Sequence, residues 1–239
     1  MTNYRIERAS DPDALARQAS DTVAAQISLV LDQRDRCRIA LSGGSTPAKA
    51  YALLGQEHLP WDRVDVLLGD ERWVDAADEA SNARMLRSTL LAEATPGASA
   101  CFHPVPTVSL PSAEASADAF AALVSQLCSG SPPVFDLMVL GLGDDGHTAS
   151  LFPGTEAPSV RDRWTTIGRG KGLDRISLTA PVLSAARQVV FLVAGEGKQQ
   201  ALARLLDPAE DAARTPAKLV QPSGEILVLA DTAACAALA

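Results

Sequence analysis

The chain has 239 residues, 47% of them hydrophobic and 21% charged, with a formal net charge of −8. That length and balance suit a chain with a large buried core, and one domain spanning 1–239 is expected. The excess of negative charge argues against nucleic acid or an anionic membrane as a partner. The four cysteines, Cys37, Cys101, Cys128 and Cys235, form no CxxC and no Cys/His cluster, so neither a metal site nor a disulfide framework is expected.

The opening residues lack the apolar stretch of a signal peptide, and no run approaches the ~18 apolar residues of a membrane span. A cytoplasmic protein is expected. A helix is predicted over Asp11–Asp32, where Asp11-Pro12-Asp13 supplies a start signal. Leu15, Ala19, Val23, Ile27 and Val30 then fall near one face. A short strand follows at Cys37–Leu41 and runs into Ser42-Gly43-Gly44-Ser45-Thr46-Pro47. Two glycines allow close backbone approach. Thr46 is read as the cap of a helix over Ala48–Leu54, with Pro47 at its first position. Such a turn is either a phosphate cradle, with free N–H groups at a positive helix end, or a plain strand-to-helix connection. It is not a Walker A loop, because GxxxxGK is absent.

The second clear strand is Val64–Gly69, ending in Asp70-Glu71-Arg72. These charges are either solvated or line a cleft, since burying them without partners is unfavourable. A helix is predicted over Ala83–Ala94 with Ser81 or Asn82 as cap, a short strand within Cys101–Val105, and a helix over Ser112–Ser129.

The apolar run Phe135–Leu142 predicts a buried central strand, followed by the turn Gly143-Asp144-Asp145-Gly146 and then His147. In parallel sheets the carboxyl ends of strands carry the chemistry. An imidazole titrates near pH ~6.5 and can take and return a proton at neutral pH. Asp144 or Asp145 is placed to orient its ring. Thr148–Phe152 is read as one helical turn before Pro153-Gly154. A strand is expected within Arg161–Ile167, and Gly168-Arg169-Gly170-Lys171-Gly172 reads as a flexible basic loop or hairpin connection. Further strands are expected at Arg175–Thr179, Gln188–Ala194 and Ile226–Ala230. Helices are expected from Pro181, over Gln199–Leu206 and over Asp231–Ala239. Lys198 sits at a helix start, where a cation opposes the dipole; that placement makes sense if an anion sits there too.

Strands alternate with helical patterns, so the fold class is α/β: a Rossmann-like, mainly parallel sheet flanked by helices, with room for a small additional lobe. Gly141-x-Gly143-x-x-Gly146 formally matches a dinucleotide fingerprint, but His147 follows at once and no acid ends a clear next strand at the expected distance. No GxSxG occurs, which argues against an α/β-hydrolase mechanism.

GLGDDGHTASLFPG resembles the signature of the 6-phosphogluconolactonase family, which is related to the glucosamine-6-phosphate isomerases/deaminases. LSGGSTP resembles the phosphate loop those enzymes share. GDERWV followed by SNARMLRSTLL is similar to the lactonase pattern, with Asp75 where the family usually has proline. Arg72 favours the lactonase branch over the isomerase branch.

The resemblance implies hydrolysis of 6-phospho-D-glucono-1,5-lactone to 6-phospho-D-gluconate, in the oxidative pentose phosphate pathway, with no cofactor and no metal. It implies substrate-phosphate contacts at Ser42, Gly43, Gly44, Ser45, Thr46, Arg175 and Lys198. His147 is then the general base and acid, steadied by Asp144 or Asp145. Asp70 orients Arg72 or a sugar hydroxyl, and Arg72 or backbone N–H groups near Gly146 stabilise the oxyanion. The implied partner is a small-molecule sugar phosphate, bound by a monomer or homodimer. An isomerase or deaminase remains the nearest alternative. A sugar-phosphate sensor is disfavoured by the lack of a helix-turn-helix segment.

Overall fold

The computed structural model describes residues 3–170 and 172–238. In chain order the elements are β1 (Tyr4–Ala9), α1 (Pro12–Leu31), β2 (Cys37–Leu41), α2 (Ser45–Leu54), β3 (Val64–Leu68), β4 (Asp70–Arg72), α3 (Asn82–Ser88) and β5 (Cys101–Phe102). They continue with α4 (Ala113–Leu127), β6 (Leu137–Gly141), β7 (Thr165–Gly170), β8 (Leu173–Leu178), α5 (Ala180–Ala185), β9 (Val189–Val193), α6 (Gln199–Leu206) and β10 (Ile226–Asp231).

Seven strands form one sheet in the order β1-β10-β9-β6-β2-β3-β5. Every pair in it is parallel. Parallel strands covered by helices on both faces read as continuous apolar runs, and β9 (VVFLV) is buried throughout. Side chains such as Ile39, Leu67, Val139, Phe191 and Val228 are fully buried in this layer. Each contributes about 1.5–3 kcal/mol by leaving water. The expected α/β architecture is what the chain adopts.

A three-stranded antiparallel sheet, β4-β8-β7, forms the small additional lobe. Gly69 joins the two sheets. Its N–H donates to the Leu41 carbonyl at 2.9 Å, and its own carbonyl accepts from the Leu178 N–H at 2.9 Å. Asp70-Glu71-Arg72 is therefore a paired strand, not the loop that its charges suggest.

Several local expectations are corrected. The first strand, β1, has no counterpart among the expected elements; its YRIERA sequence is a half-exposed edge strand with little apolar signal. α2 begins at Ser45 with Gly44 as its cap residue, so Thr46 lies inside the helix and caps nothing. α3 ends at Ser88, not Ala94: the Thr89 hydroxyl turns back to the Met85 carbonyl at 2.8 Å, competing with helix continuation. The expected C-terminal helix is a 3-10 turn at Ala234–Ala237 after β10; Ala239 lies outside the described residues.

Thr148–Phe152 is not a helical turn. Thr148 and Leu151 form an isolated antiparallel bridge, and Ala149 has φ +47°. Nor is 168–172 simply a loop, for β7 continues to Gly170 and pairs with β8; Lys171 lies outside the described residues. The glycines serve close packing. A Cβ on Gly168 would fall 2.2 Å from the Ser150 carbonyl oxygen, and one on Gly170 would fall 2.7 Å from the Phe152 ring.

α1 is as expected, with Asp11 Oδ1 accepting from the Ala14 N–H at 2.8 Å. No helix among the described residues is long and apolar enough to cross a membrane.

Candidate active site

In the main sheet β2 leads outward to β3 and β5, while β6 leads the other way to β9 and β10. The chain thus reverses direction between β2 and β6, and open α/β sheets bind ligands at the carboxyl ends of strands at such a point. The serine-glycine turn leaves β2 there, and the Asp-Gly-His turn leaves β6 there. A cavity of about 230 Å³ opens between them.

One wall is the start of α2. Ser42, Gly43, Gly44, Ser45 and Thr46 all line the cavity. Gly44 has φ +115°, a conformation open to glycine, and no side chain caps the helix. The positive helix end is thus presented to the cavity. Tyr51, fully buried on α2, accepts a hydrogen bond from the Ser42 N–H at 3.2 Å and braces the turn. A Cβ on Gly43 would lie 1.9 Å from Asn82 Oδ1, so only glycine lets α3 pack this close.

The second wall is the small sheet. Asp70, Arg72 and Arg175 line the cavity, and Arg72 and Arg175 are opposed across β4 and β8. Arg175 is only 7% exposed, and its nearest acid oxygen is Asp70 Oδ2 at 3.9 Å. Burial pushes the Arg175 pKa down, while Asp70 pulls it back up. Ser150 donates to Asp70 Oδ2 at 2.5 Å and ties this strand to the segment after His147. The Arg72 guanidinium also donates to the Ala80 carbonyl.

Glu71, between these residues, is turned away from the cavity and is 1% exposed. It accepts from the N–H groups of Arg72 (2.8 Å), Asn82 (2.8 Å) and Ala83 (2.7 Å), and from the Ser81 hydroxyl (3.2 Å). It thus caps α3 and fixes both neighbours of the cavity. Burial raises its pKa, against the pull of those backbone donors.

The third wall carries His147. Asp145 Oδ1 lies 2.5 Å from His147 Nδ1 and accepts the His147 backbone N–H at 3.0 Å. Of the two candidate acids, Asp145 is thus the one that holds the ring; Asp144 offers its carbonyl to Arg204 at 3.1 Å. A Cβ on Gly143 would sit 2.0 Å from His147 Nδ1. The turn is closed by Gly143 N–H donating to the His147 carbonyl at 2.8 Å, and Gly146 has φ +91°. Ala149, the only non-glycine with positive φ among the described residues, also lines the cavity. The dinucleotide reading loses its footing here, because no helix follows this turn.

Lys198 lines the cavity from the start of α6. Its loop is held by Asp231, whose carboxylate oxygens accept the Gly195 N–H at 3.0 Å each. Among the described residues, Ser42 Oγ, Arg72 Nε and Arg175 Nε are buried at this cavity without a hydrogen-bond partner. Buried donors of that kind suit an anionic ligand.

The structure therefore brings the expected site residues to one cavity, except Asp145, which stands behind His147. Sequence reasoning missed Glu71, Tyr51, Ser150, Asn82 and Asp231. Asn82 did appear as a helix cap in the SNARM segment, Glu71 lay inside the GDE triplet and Ser150 inside the GLGDDGHTASLFPG signature; Tyr51 and Asp231 carried no signal of a site. Among the described residues no cluster of three or more His, Cys, Asp or Glu side chains is arranged to hold a metal.

The fold and site define a class: a doubly wound α/β protein with an uncapped helix start and a carboxylate-held histidine facing one cavity at its switch point. Residues 10–229 match the model of the family "Glucosamine-6-phosphate isomerases/6-phosphogluconolactonase". The 6-phosphogluconolactonase of Synechocystis sp. is 42% identical over 91% of each chain, and that of Nostoc sp. is 40% identical over 98% of each. The solved 6-phosphogluconolactonase of Trypanosoma brucei superposes with a TM-score of 0.88 over the whole of both chains at 28% identity. The chain belongs to the glucosamine-6-phosphate isomerase/6-phosphogluconolactonase family.

Proposed function

We propose that the protein is a 6-phosphogluconolactonase, hydrolysing 6-phospho-D-glucono-1,5-lactone to 6-phospho-D-gluconate with residues 1–239 acting as one catalytic unit. The observation that carries the reading is that His147, with Nδ1 held by Asp145, lines the same cavity as the uncapped start of α2, the buried Arg175 and the half-buried Arg72. A lactone with its carbonyl at C1 and its phosphate on C6 needs those two ends in one pocket. The named relatives support the choice of substrate.

Ester hydrolysis needs a deprotonated water, a counter-charge for the carbonyl oxygen, and a proton for the leaving ring oxygen. His147 takes a proton from water through Nε2. The water oxygen bonds to C1, and the carbonyl electron pair moves onto its oxygen, which Arg72 stabilises. The alternative donors expected near Gly146 are spent inside the turn, the N–H groups of Gly143, Gly146 and His147 being bonded to the His147 carbonyl, the Gly143 carbonyl and Asp145. When the tetrahedral intermediate collapses, the bond from C1 to the ring oxygen breaks, and His147 returns its proton to that oxygen. Asp145 orients the ring and stabilises the imidazolium. Asp70 orients Arg175 or a sugar hydroxyl. Arg72 is itself tied to Ala80. Ser42 to Thr46, Arg175 and Lys198 hold the phosphate. The reading implies a cytoplasmic enzyme, since phosphorylated sugars are retained inside cells, and it is compatible with a monomer or a homodimer.

The test is a coupled assay. Glucose-6-phosphate dehydrogenase generates the lactone, and 6-phosphogluconate is followed against a blank without the protein. Appearance faster than the blank is expected. A rate equal to the blank would remove the activity, and ammonia released from glucosamine 6-phosphate instead would move the chain to the isomerase branch.

A further inference from the structure

Between the histidine and the arginine of the cavity lies one aromatic ring that the chemistry above does not use. The Phe152 ring centroid is 4.4 Å from that of His147, with the planes tilted by 40°. The Arg175 guanidinium carbon lies 5.3 Å from the same centroid. Phe152 is 5% exposed, and the bare backbone of β7 at Gly170 presses on it so closely that a Cβ there would lie 2.7 Å from the ring. The ring is thus boxed in, with two functional side chains from separate elements resting on it.

We propose that Phe152 is a positioning residue: its ring sets the His147 imidazole and the Arg175 guanidinium at a fixed separation, favours the imidazolium form of His147 and steadies the Arg175 cation where it stands. This rests on the reading that His147 moves the proton and Arg175 meets the phosphate. The physical basis is the negative face of an aromatic ring, which attracts a cation placed over it. Arg175 is in need of such support, since it is buried and its carboxylate partner is distant at 3.9 Å. The imidazolium that forms when His147 accepts a proton gains from the same ring. Gly170 belongs to the device, because any side chain there would displace the ring.

The experiment compares the wild-type chain with Phe152→Leu, Phe152→Tyr and Gly170→Ala. The first removes the ring but keeps apolar bulk, the second keeps the ring, and the third keeps the ring but pushes it. The chain has three histidines, so the imidazole NMR signal of His147 is assignable with a His147→Ala control. Its titration midpoint is read alongside the affinity for inorganic phosphate, the split of kcat from KM, and thermal unfolding. The charged groups around His147 (Asp144 and Asp145 on its own turn, Arg204 of α6 bonded to that turn, and Asp70, Arg72, Arg175 and Lys198 around the cavity) are unchanged in all three variants.

Phe152→Leu is expected to lower the His147 midpoint and weaken phosphate binding by about 3- to 30-fold, while Phe152→Tyr keeps both near wild type. A Phe152→Leu protein that melts earlier but keeps the wild-type midpoint and phosphate affinity would overturn the proposal. If Phe152→Leu does not fold, Gly170→Ala decides the matter: both quantities must move, and unchanged values overturn the proposal. A wild-type chain that fails to hydrolyse the lactone removes the proposed activity alone, because the midpoint and the phosphate affinity are read without turnover.

Discussion

Asp145 binds His147 twice through one oxygen, reaching ring Nδ1 at 2.5 Å and the backbone N–H at 3.0 Å. A carboxylate held by the backbone of the residue it orients has little freedom to let the ring turn. Asp145→Asn preserves the shape but loses the charge that stabilises an imidazolium. Turnover is expected to fall about 10- to 100-fold, less than the ~10⁴-fold of a fully buried triad aspartate, because the Asp145 side chain is 39% exposed. Steady-state kinetics check this; an unchanged kcat would leave Asp145 only a turn residue.

Gly143 makes that arrangement possible. With an added Cβ 2.0 Å from Nδ1 and 2.5 Å from Asp145 Oδ1, the ring and the carboxylate cannot both stay. Gly143→Ala is expected to reduce kcat about as far as Asp145→Asn or further, while thermal unfolding changes by less than a core substitution would cause. Phosphate affinity should persist, which isothermal calorimetry reads directly.

Glu71 is expected to matter without touching substrate. Glu71→Gln turns an amide N–H₂ toward backbone donors that now share one carboxylate. About 2–4 kcal/mol of stability should be lost, measurable by urea unfolding. Turnover should fall as well, because Arg72 and Asn82 lose their common anchor. A variant of native stability would contradict the assigned role.

The opposite rim of the sheet predicts a pH effect. Asp65, 3% exposed on β3, pairs with Arg36 at 2.7 and 2.8 Å and with His103 at 2.9 Å. Burial alone would raise its pKa, but the bonds from Arg36 and His103 outweigh that and hold it below its ordinary 3.8. A carboxyl depressed by folding adds stability that is present above its ordinary value and lost as pH falls through the folded value. Asp65→Asn should therefore destabilise the protein at neutral pH, and the gap should narrow only below about pH 4. A gap that does not change with pH would contradict the pairing.

The sequence disclosed most of the main sheet because β2, β6 and β9 are short, largely apolar runs that end in glycine turns, and those turns carry the serines, His147 and Lys198. It revealed two strands of the small sheet, within Arg161–Ile167 and at Arg175–Thr179, but concealed the third, β4, and the edge strand β1 of the main sheet. Asp70-Glu71-Arg72 is too short and too charged to read as a strand, and only pairing with β8 makes it one. The glycines of 168–172 looked like freedom, yet Gly168 and Gly170 are there to admit Ser150 and Phe152. Supporting residues such as Asp231 and Tyr51 act across long sequence separations, which no local pattern encodes.

The central claim is that one histidine moves the proton while the rest of the cavity holds the phosphate. The most direct measurement is lactone hydrolysis by His147→Gln beside wild type, with 6-phosphogluconate affinity measured for both. A drop of about 10²- to 10⁴-fold in turnover is expected, with affinity largely retained. Near wild-type turnover in the variant would contradict the account.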